Sequence, residues 1–238
     1  MSTIAENIAN VGDRIRHCAH AAARSPESVT LIAVSKTRPA EDIRAAWAAG
    51  IRHVGENYLQ EALDKQASLG DLDLTWHFIG PIQSNKTKAI AEHFDWVHSV
   101  DRLKIAQRLS DQRPAGLPPL NICLQVNISG EDSKSGVSPE QLPALAEAVA
   151  RMPNLRLRGL MAIPAPGQDE ASRRAPLRAL RECLESLALP LDTLSMGMTD
   201  DLSEAVAEGA TLVRIGTALF GRRNSQPSAQ HNPNKDQE

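Results

Sequence analysis

The stretch Val29-Thr30-Leu31-Ile32-Ala33-Val34-Ser35-Lys36-Thr37 decides the fold. Its aliphatic and β-branched residues run on without polar alternation. It is too short to cross a membrane and too apolar for a surface strand. It therefore reads as a strand buried on both faces, as parallel strands usually are. Lys36 stands where the apolar run stops. A lysine there either marks the chain's return to water or, at the mouth of an apolar core, loses its proton and attacks a carbonyl. The stretch alone leaves both readings open.

Upstream, Ile4, Ile8, Val11, Ile15 and Cys18 recur at helical spacing and predict an amphipathic helix over 3–24, ended by Ser25-Pro26-Glu27-Ser28. Downstream, strands and helices alternate. After the first strand at 29–35, strands are expected over Ile51–Glu56, Leu74–Gly80, Asp95–Val100, Asn121–Ile128, Leu155–Ile163, Leu191–Met196 and Thr211–Gly216. Helices are expected over Pro39–Ala49, stopped by Gly50, over Asn57–Leu69, and over Ser84–His93, capped by Ser84 or Asn85. Further helices follow over Asp101–Gln112 with Asp101 as cap, Ser138–Arg151, residues 169–187, and Asp200–Glu208, stopped by Gly209. Eight such strands, each followed by a helix or turn, argue for one (β/α)8 barrel with an additional N-terminal helix, spanning 1–221. An open doubly wound sheet is the competing arrangement. The GxGxxG turn it would use for a dinucleotide does not follow the first strand, which ends Ser35-Lys36-Thr37-Arg38. The polar tail, 222–238, has no apolar periodicity and is expected to be disordered.

Composition narrows the function. A net charge of -3 and 3% aromatic residues argue against nucleic-acid binding, which uses basic patches and stacking platforms. No window approaches the roughly 18 apolar residues of a membrane span, so no membrane role is expected. The amino terminus has acids and no apolar core of a signal peptide. Cys18, Cys123 and Cys183 are odd in number, lack metal spacing and fit a reducing cytoplasm as buried small residues. The histidines form no HExxH pattern, so no metal site is expected.

In a barrel the site forms at the carboxyl ends of the strands, and the loops after the last two strands often hold phosphate. Those ends carry Lys36, Glu56, Asn57, Tyr58, Asn127 and Ser129, and then Ser195-Met196-Gly197-Met198-Thr199-Asp200-Asp201. Gly197 lets backbone approach a ligand, and Thr199-Asp200 would open a helix whose free N–H groups favour an anion. Ser195, Met198, Thr199, Gly216 and Thr217 thus read either as a phosphate cup or as a helix cap and a tight turn. Arg214, between Val213 and Ile215, needs a partner. Asp192 or Glu204 would serve structurally, or it donates to a ligand inside the mouth. A lysine for an aldehyde, a phosphate cup and an arginine donor are the parts of a pyridoxal phosphate site. His77, alone among apolar residues in LTWHFIG, reads as a core histidine. Trp47, Trp76 and Trp96 read as core, and residues 129–136 as a solvated loop or a lid.

The segments AVSKT (33–37), GENYLQE (55–61), WHFIGPIQSNK (76–86), HSVDR (98–102), QVNISGEDSKSG (125–136), RLRGLMAIP (156–164) and LSMGMTDDLSEAVAEGATLVRIGTALFG (194–221) resemble, in order, the YggS/PROSC family of pyridoxal phosphate homeostasis proteins. The resemblance implies a barrel like the N-terminal domain of alanine racemase. It implies that Lys36 holds pyridoxal 5'-phosphate as a Schiff base and that Arg214 faces the pyridine nitrogen. It places Ser195, Gly197, Thr199, Gly216 and Thr217 on the phosphate-holding segments and Asn57 near the cofactor. The family often has serine where Thr199 stands; both carry a hydroxyl. An arginine cannot give its proton to the ring nitrogen, so the ring stays a poor electron sink. A racemase also needs a second acid–base group. Alanine racemases take a tyrosine from a partner's second domain, whereas here the sole tyrosine is Tyr58. The expectation is a monomeric cofactor carrier or buffer serving apoenzymes, rather than an efficient racemase or lyase.

Overall fold

The computed structural model describes residues 2–130 and 135–221. Eight parallel strands close into a barrel in chain order, the last pairing with the first. They are β1 (Thr30–Val34), β2 (His53–Glu56), β3 (Thr75–Phe78), β4 (Trp96–Val100), β5 (Leu120–Gln125), β6 (Leu155–Met161), β7 (Thr193–Ser195) and β8 (Leu212–Ile215). Closure in this order makes the barrel, not the open sheet, the fold.

Helix α1 (Ile4–Ala21) precedes the barrel. Thr3 and Glu6 form a capping box at its start, and Val11, Ile15 and Ala19 are its buried face. The surrounding helices are α2 (Ala40–Ala48), α3 (Leu59–Ser68), α4 (Thr87–His93), α5 (Leu103–Gln112), α6 (Leu142–Ala150), α7 (Glu170–Ser186), α8 (Leu202–Ala207) and α9 (Thr217–Phe220). Helix α1 packs on α8, α9 and α2. The Arg14 guanidinium donates to the Thr199 carbonyl at 3.0 Å, and the Asn7 amide to Leu219 at 2.9 Å. The extra helix is thus tied to the segments after β7 and β8.

Several expected boundaries move, each for a local reason. Ser84–Lys86 is a 3-10 turn, and α4 starts after it without a side-chain cap. Asp101 does not cap α5, because its carboxylate takes the neighbouring Arg102 guanidinium at 2.6 Å. Residues 138–141 form turns, and α6 begins at Leu142, where Pro143 fits the first helical turn. Helix α8 begins at Leu202, two residues after the expected Asp200. The tail expected to be disordered lies outside the described residues, as do 131–134 of the loop read as a possible lid. Trp76 is core, but Trp47 and Trp96 are only half-buried, at the edge of the core with Arg52 and Arg158 stacked over them. Of the three cysteines only Cys123 is buried.

The continuous apolar core lies between the strands and the helices. The barrel lumen is different. His98 of β4 bonds Ser195 of β7 at 2.7 Å, although β5 and β6 separate those strands. Such a contact must cross the lumen, so this barrel is filled partly by polar side chains.

Candidate functional site

The first wall is the end of β1. Lys36 is half-buried, and among the described residues no hydrogen bond or ion pair engages its Nζ. The residues on either side of it are clamped. Lys65 of α3 is buried and donates to the Ser35 carbonyl (2.8 Å), to Glu56 (2.7 Å) and to Glu61 (2.5 Å). The Ser35 hydroxyl donates to Glu56 at 2.5 Å, and the Thr37 amide donates to Glu61 at 2.5 Å. Thr37 has φ +63°, a left-handed conformation a β-branched residue adopts at a cost. The clamp holds that turn and so presents Lys36 at the mouth. Burial raises the Glu56 carboxyl above its ordinary range, against the bonds from Lys65 and Ser35 that lower it.

On β8, the strand paired with β1, stands Arg214, 5% exposed and in register with Ile32. Its Nη1 donates to the Ser195 carbonyl (2.6 Å) and hydroxyl (2.7 Å), and its Nη2 to the Ala162 carbonyl (2.9 Å). No carboxylate among the described residues pairs with it. Asp192 is held by Arg158 through two bonds, 2.9 and 2.7 Å, and Glu204 by Arg173 at 2.6 Å. Both structural readings of Arg214 therefore fail. Burial pushes it down to about 10, which leaves it charged at neutral pH. A buried guanidinium satisfied only by neutral acceptors suits a partner that accepts a hydrogen bond.

The third wall is the β7 and β8 ends. Gly197 has φ +97°, and a Cβ there would lie 2.5 Å from that of Ala205, so only glycine fits. A Cβ on Gly216 would come within 3.1 Å of the Val34 carbonyl. Met198 and Thr217 are exposed, and Thr199 is half-buried. The Met198 amide donates to the Asp201 carboxylate at 2.6 Å. Gly197 and Gly216 thus bring backbone close to its neighbours at these two strand ends. The Ser195 hydroxyl, expected there, is engaged below by Arg214 and His98. Asn57 completes the mouth. Its Oδ1 is buried without a hydrogen-bond partner among the described residues, beside a cavity of about 300 Å³ shared with Ile79, Gln125 and Ile163. Two larger depressions, of about 510 and 590 Å³, lie on the α1 side and carry neither Lys36 nor Arg214.

His77 is buried, as expected, but not isolated. His53 Nδ1 is 3.0 Å from His77 Nε2, and His77 Nδ1 is 2.9 Å from His98 Nε2. Burial pushes all three rings down, His77 well below the usual value and His98 to about 3. Arg214 adds to the effect at His98. His53, His98 and Lys65 were not singled out from sequence. For Lys65 a signal existed, the Glu61–Lys65 pair one helical turn apart.

Residues 7–224 match the family described as alanine racemase, N-terminal domain. A pyridoxal phosphate homeostasis protein of Pseudomonas aeruginosa is 71% identical over 224 residues, covering 94% of this chain and 97% of that protein. The chain belongs to the YggS/PROSC family of pyridoxal phosphate homeostasis proteins. The family member of Escherichia coli K12 is 53% identical over 230 residues, covering 94% of this chain and 98% of that protein. Among solved structures, PipY of Synechococcus elongatus with PLP bound superposes with a TM-score of 0.80 at 42% identity, covering 92% of this chain and all of that one (100%). The expected barrel, like the N-terminal domain of alanine racemase, is the observed one.

Proposed function

We propose that this chain binds pyridoxal 5'-phosphate and keeps it in reserve for other proteins, in intracellular pyridoxal phosphate homeostasis. The observation that carries the reading is the pairing of an unengaged Lys36 with a buried Arg214 that no carboxylate answers. The residues fit the cofactor. Lys36 would hold its aldehyde carbon as a Schiff base. Arg214 would donate to the ring nitrogen. Gly197, Met198, Thr199, Gly216 and Thr217 would hold the phosphate, and Asn57 would face the cofactor at the mouth. The homeostasis names of relatives at 71% and 53% identity, and a relative solved with PLP bound, support the same reading.

The cofactor supplies an electrophilic carbon and an electron-withdrawing ring; the protein decides how far these are used. Arg214 cannot give up its proton to the ring, which keeps the ring a weak electron sink. Tyr58, the sole tyrosine, stands 54% exposed at the start of α3. These features favour storage or delivery over catalysis, by a monomeric cytoplasmic protein that hands the cofactor to apoenzymes. The test is to mix the loaded chain with an apo pyridoxal phosphate enzyme. Recovery of enzyme activity as fast as, or faster than, release into a scavenger is expected. Rapid deuterium exchange at Cα of an amino acid, at rates near about 10 s⁻¹, would favour a weak racemase or lyase instead.

A further inference from the structure

Three histidines from three adjacent strands, His53, His77 and His98, run through the lumen and end on Ser195. Both ring nitrogens of His77 and of His98 are engaged in this run. His53 begins it in a crevice of about 280 Å³ lined also by Trp96, Arg158, Asp192 and Thr211. His53 and Trp96 begin β2 and β4, and Asp192 and Thr211 immediately precede β7 and β8, so the crevice opens on the face opposite Lys36. The run therefore joins the two mouths of the barrel.

Neutral imidazole has one donor and one acceptor nitrogen. Where two ring nitrogens face each other at 3.0 or 2.9 Å, one carries the proton and the other does not. The tautomer of His53 then dictates that of His77, which dictates that of His98. Only two orders exist. In one, every ring carries its proton on Nε2 and the Ser195 hydroxyl donates to His98. In the other, every ring carries it on Nδ1, His98 donates to Ser195, and the hydroxyl hydrogen is free to turn toward the site. Arg214 donates to the same oxygen in both, since it has no acceptor. Reversing the order conserves protons. One enters at Ser195, one passes along each hydrogen bond, and one leaves His53 Nε2 for the crevice.

The groups facing the run are Trp96, stacked on His77, and Arg158 above Trp96, itself held by Asp192. Asp95 acts on His53, and Cys123, whose thiol burial keeps neutral, faces Arg214. None of them hydrogen-bonds a ring nitrogen of His77 or His98, which leaves the order to be set at the two ends.

We propose that His53, His77 and His98 are positioning residues, one proton-ordered chain that acts through Ser195 on Arg214 and decides whether the Ser195 hydroxyl beneath Arg214 presents a hydrogen or a lone pair. The proposal rests on the cofactor reading above, and the experiment separates the two. The full chain, labelled with ¹⁵N, is examined by long-range ¹H–¹⁵N NMR near neutral pH, where the ring nitrogens report their tautomers. Without cofactor, all three rings are expected to be the same tautomer. One ring of the opposite tautomer overturns the chain. Pyridoxal phosphate is then added, and uptake is read independently from its visible absorption. On uptake the His53 and His77 signals are expected to shift with that of His98. The His53 response should be lost in His77→Phe. His53→Gln, at the half-exposed end, gives a milder variant in which the His77 tautomer is set afresh. Uptake with His53 and His77 unmoved overturns the coupling. Absence of uptake overturns the cofactor reading and leaves the tautomers of the unliganded protein to decide the chain.

Discussion

Replacing Lys65 with methionine should unsettle the end of β1 more than any exposed charge change could. Lys65 is 7% exposed at its side chain and Glu56 is fully buried. Among the described residues Glu56 Oε2 already lacks a partner, and Oε1 would keep only the Ser35 hydroxyl. Removing one member of a buried pair leaves an uncompensated charge and costs about 3–5 kcal/mol. Methionine fills similar volume, so the cost is electrostatic rather than a cavity. The pH dependence identifies it. A carboxyl whose folded pKa is raised is penalised while charged, and the penalty vanishes as pH falls through the folded value toward the ordinary carboxylate value. Burial already raises Glu56, and losing Lys65 raises it further. The deficit of Lys65→Met should therefore be largest near neutrality and shrink toward about pH 5. Urea unfolding of both proteins at the two pH values measures it. A deficit under about 1 kcal/mol at neutrality, or one that does not change with pH, would refute the argument.

Gly197→Ala should cost about 2–4 kcal/mol, from a left-handed backbone and a contact with Ala205 that must open. Urea unfolding reads the loss, and uptake of pyridoxal phosphate should weaken with it. Ala23, at φ +53° just past α1, occupies a position that favours glycine. Ala23→Gly should gain about 0.5–1 kcal/mol, seen as a melting point a few degrees higher or lower if the reasoning fails. His77 and His98 are held neutral in the folded chain, whereas the unfolded chain protonates them near their ordinary value. Stability should fall on acidification between about pH 6.5 and 5, by up to about 1.4 kcal/mol per pH unit for each ring. Urea midpoints across that window check it, since most carboxylates stay charged there.

The barrel was legible because each buried strand is an apolar run punctuated by turn residues, and the runs recur with helical segments between them. Ends were less legible. Asp101 has the chemistry of a cap, but an adjacent arginine claimed its carboxylate. The candidate site could be read where a single strand end carries its residues, as at Lys36 and Arg214. It was not legible where closure makes the contact. His53, His77 and His98 lie in three strands with no shared motif, and only a closed barrel brings β4 against β7. Ser195 was read with the cup because of its place in the chain, yet its side chain points to Arg214. The partner of Arg214 stayed open in the sequence, since Asp192 and Glu204 were both available until the fold gave each to another arginine.

The most direct measurement is covalent. The full chain, incubated with pyridoxal phosphate, is reduced with borohydride and mapped by mass spectrometry beside Lys36→Ala. The account predicts a visible absorption band and a single reduced adduct on Lys36, both lost in the variant. A band and an adduct that persist in Lys36→Ala, or an adduct on another lysine in the native chain, would contradict it.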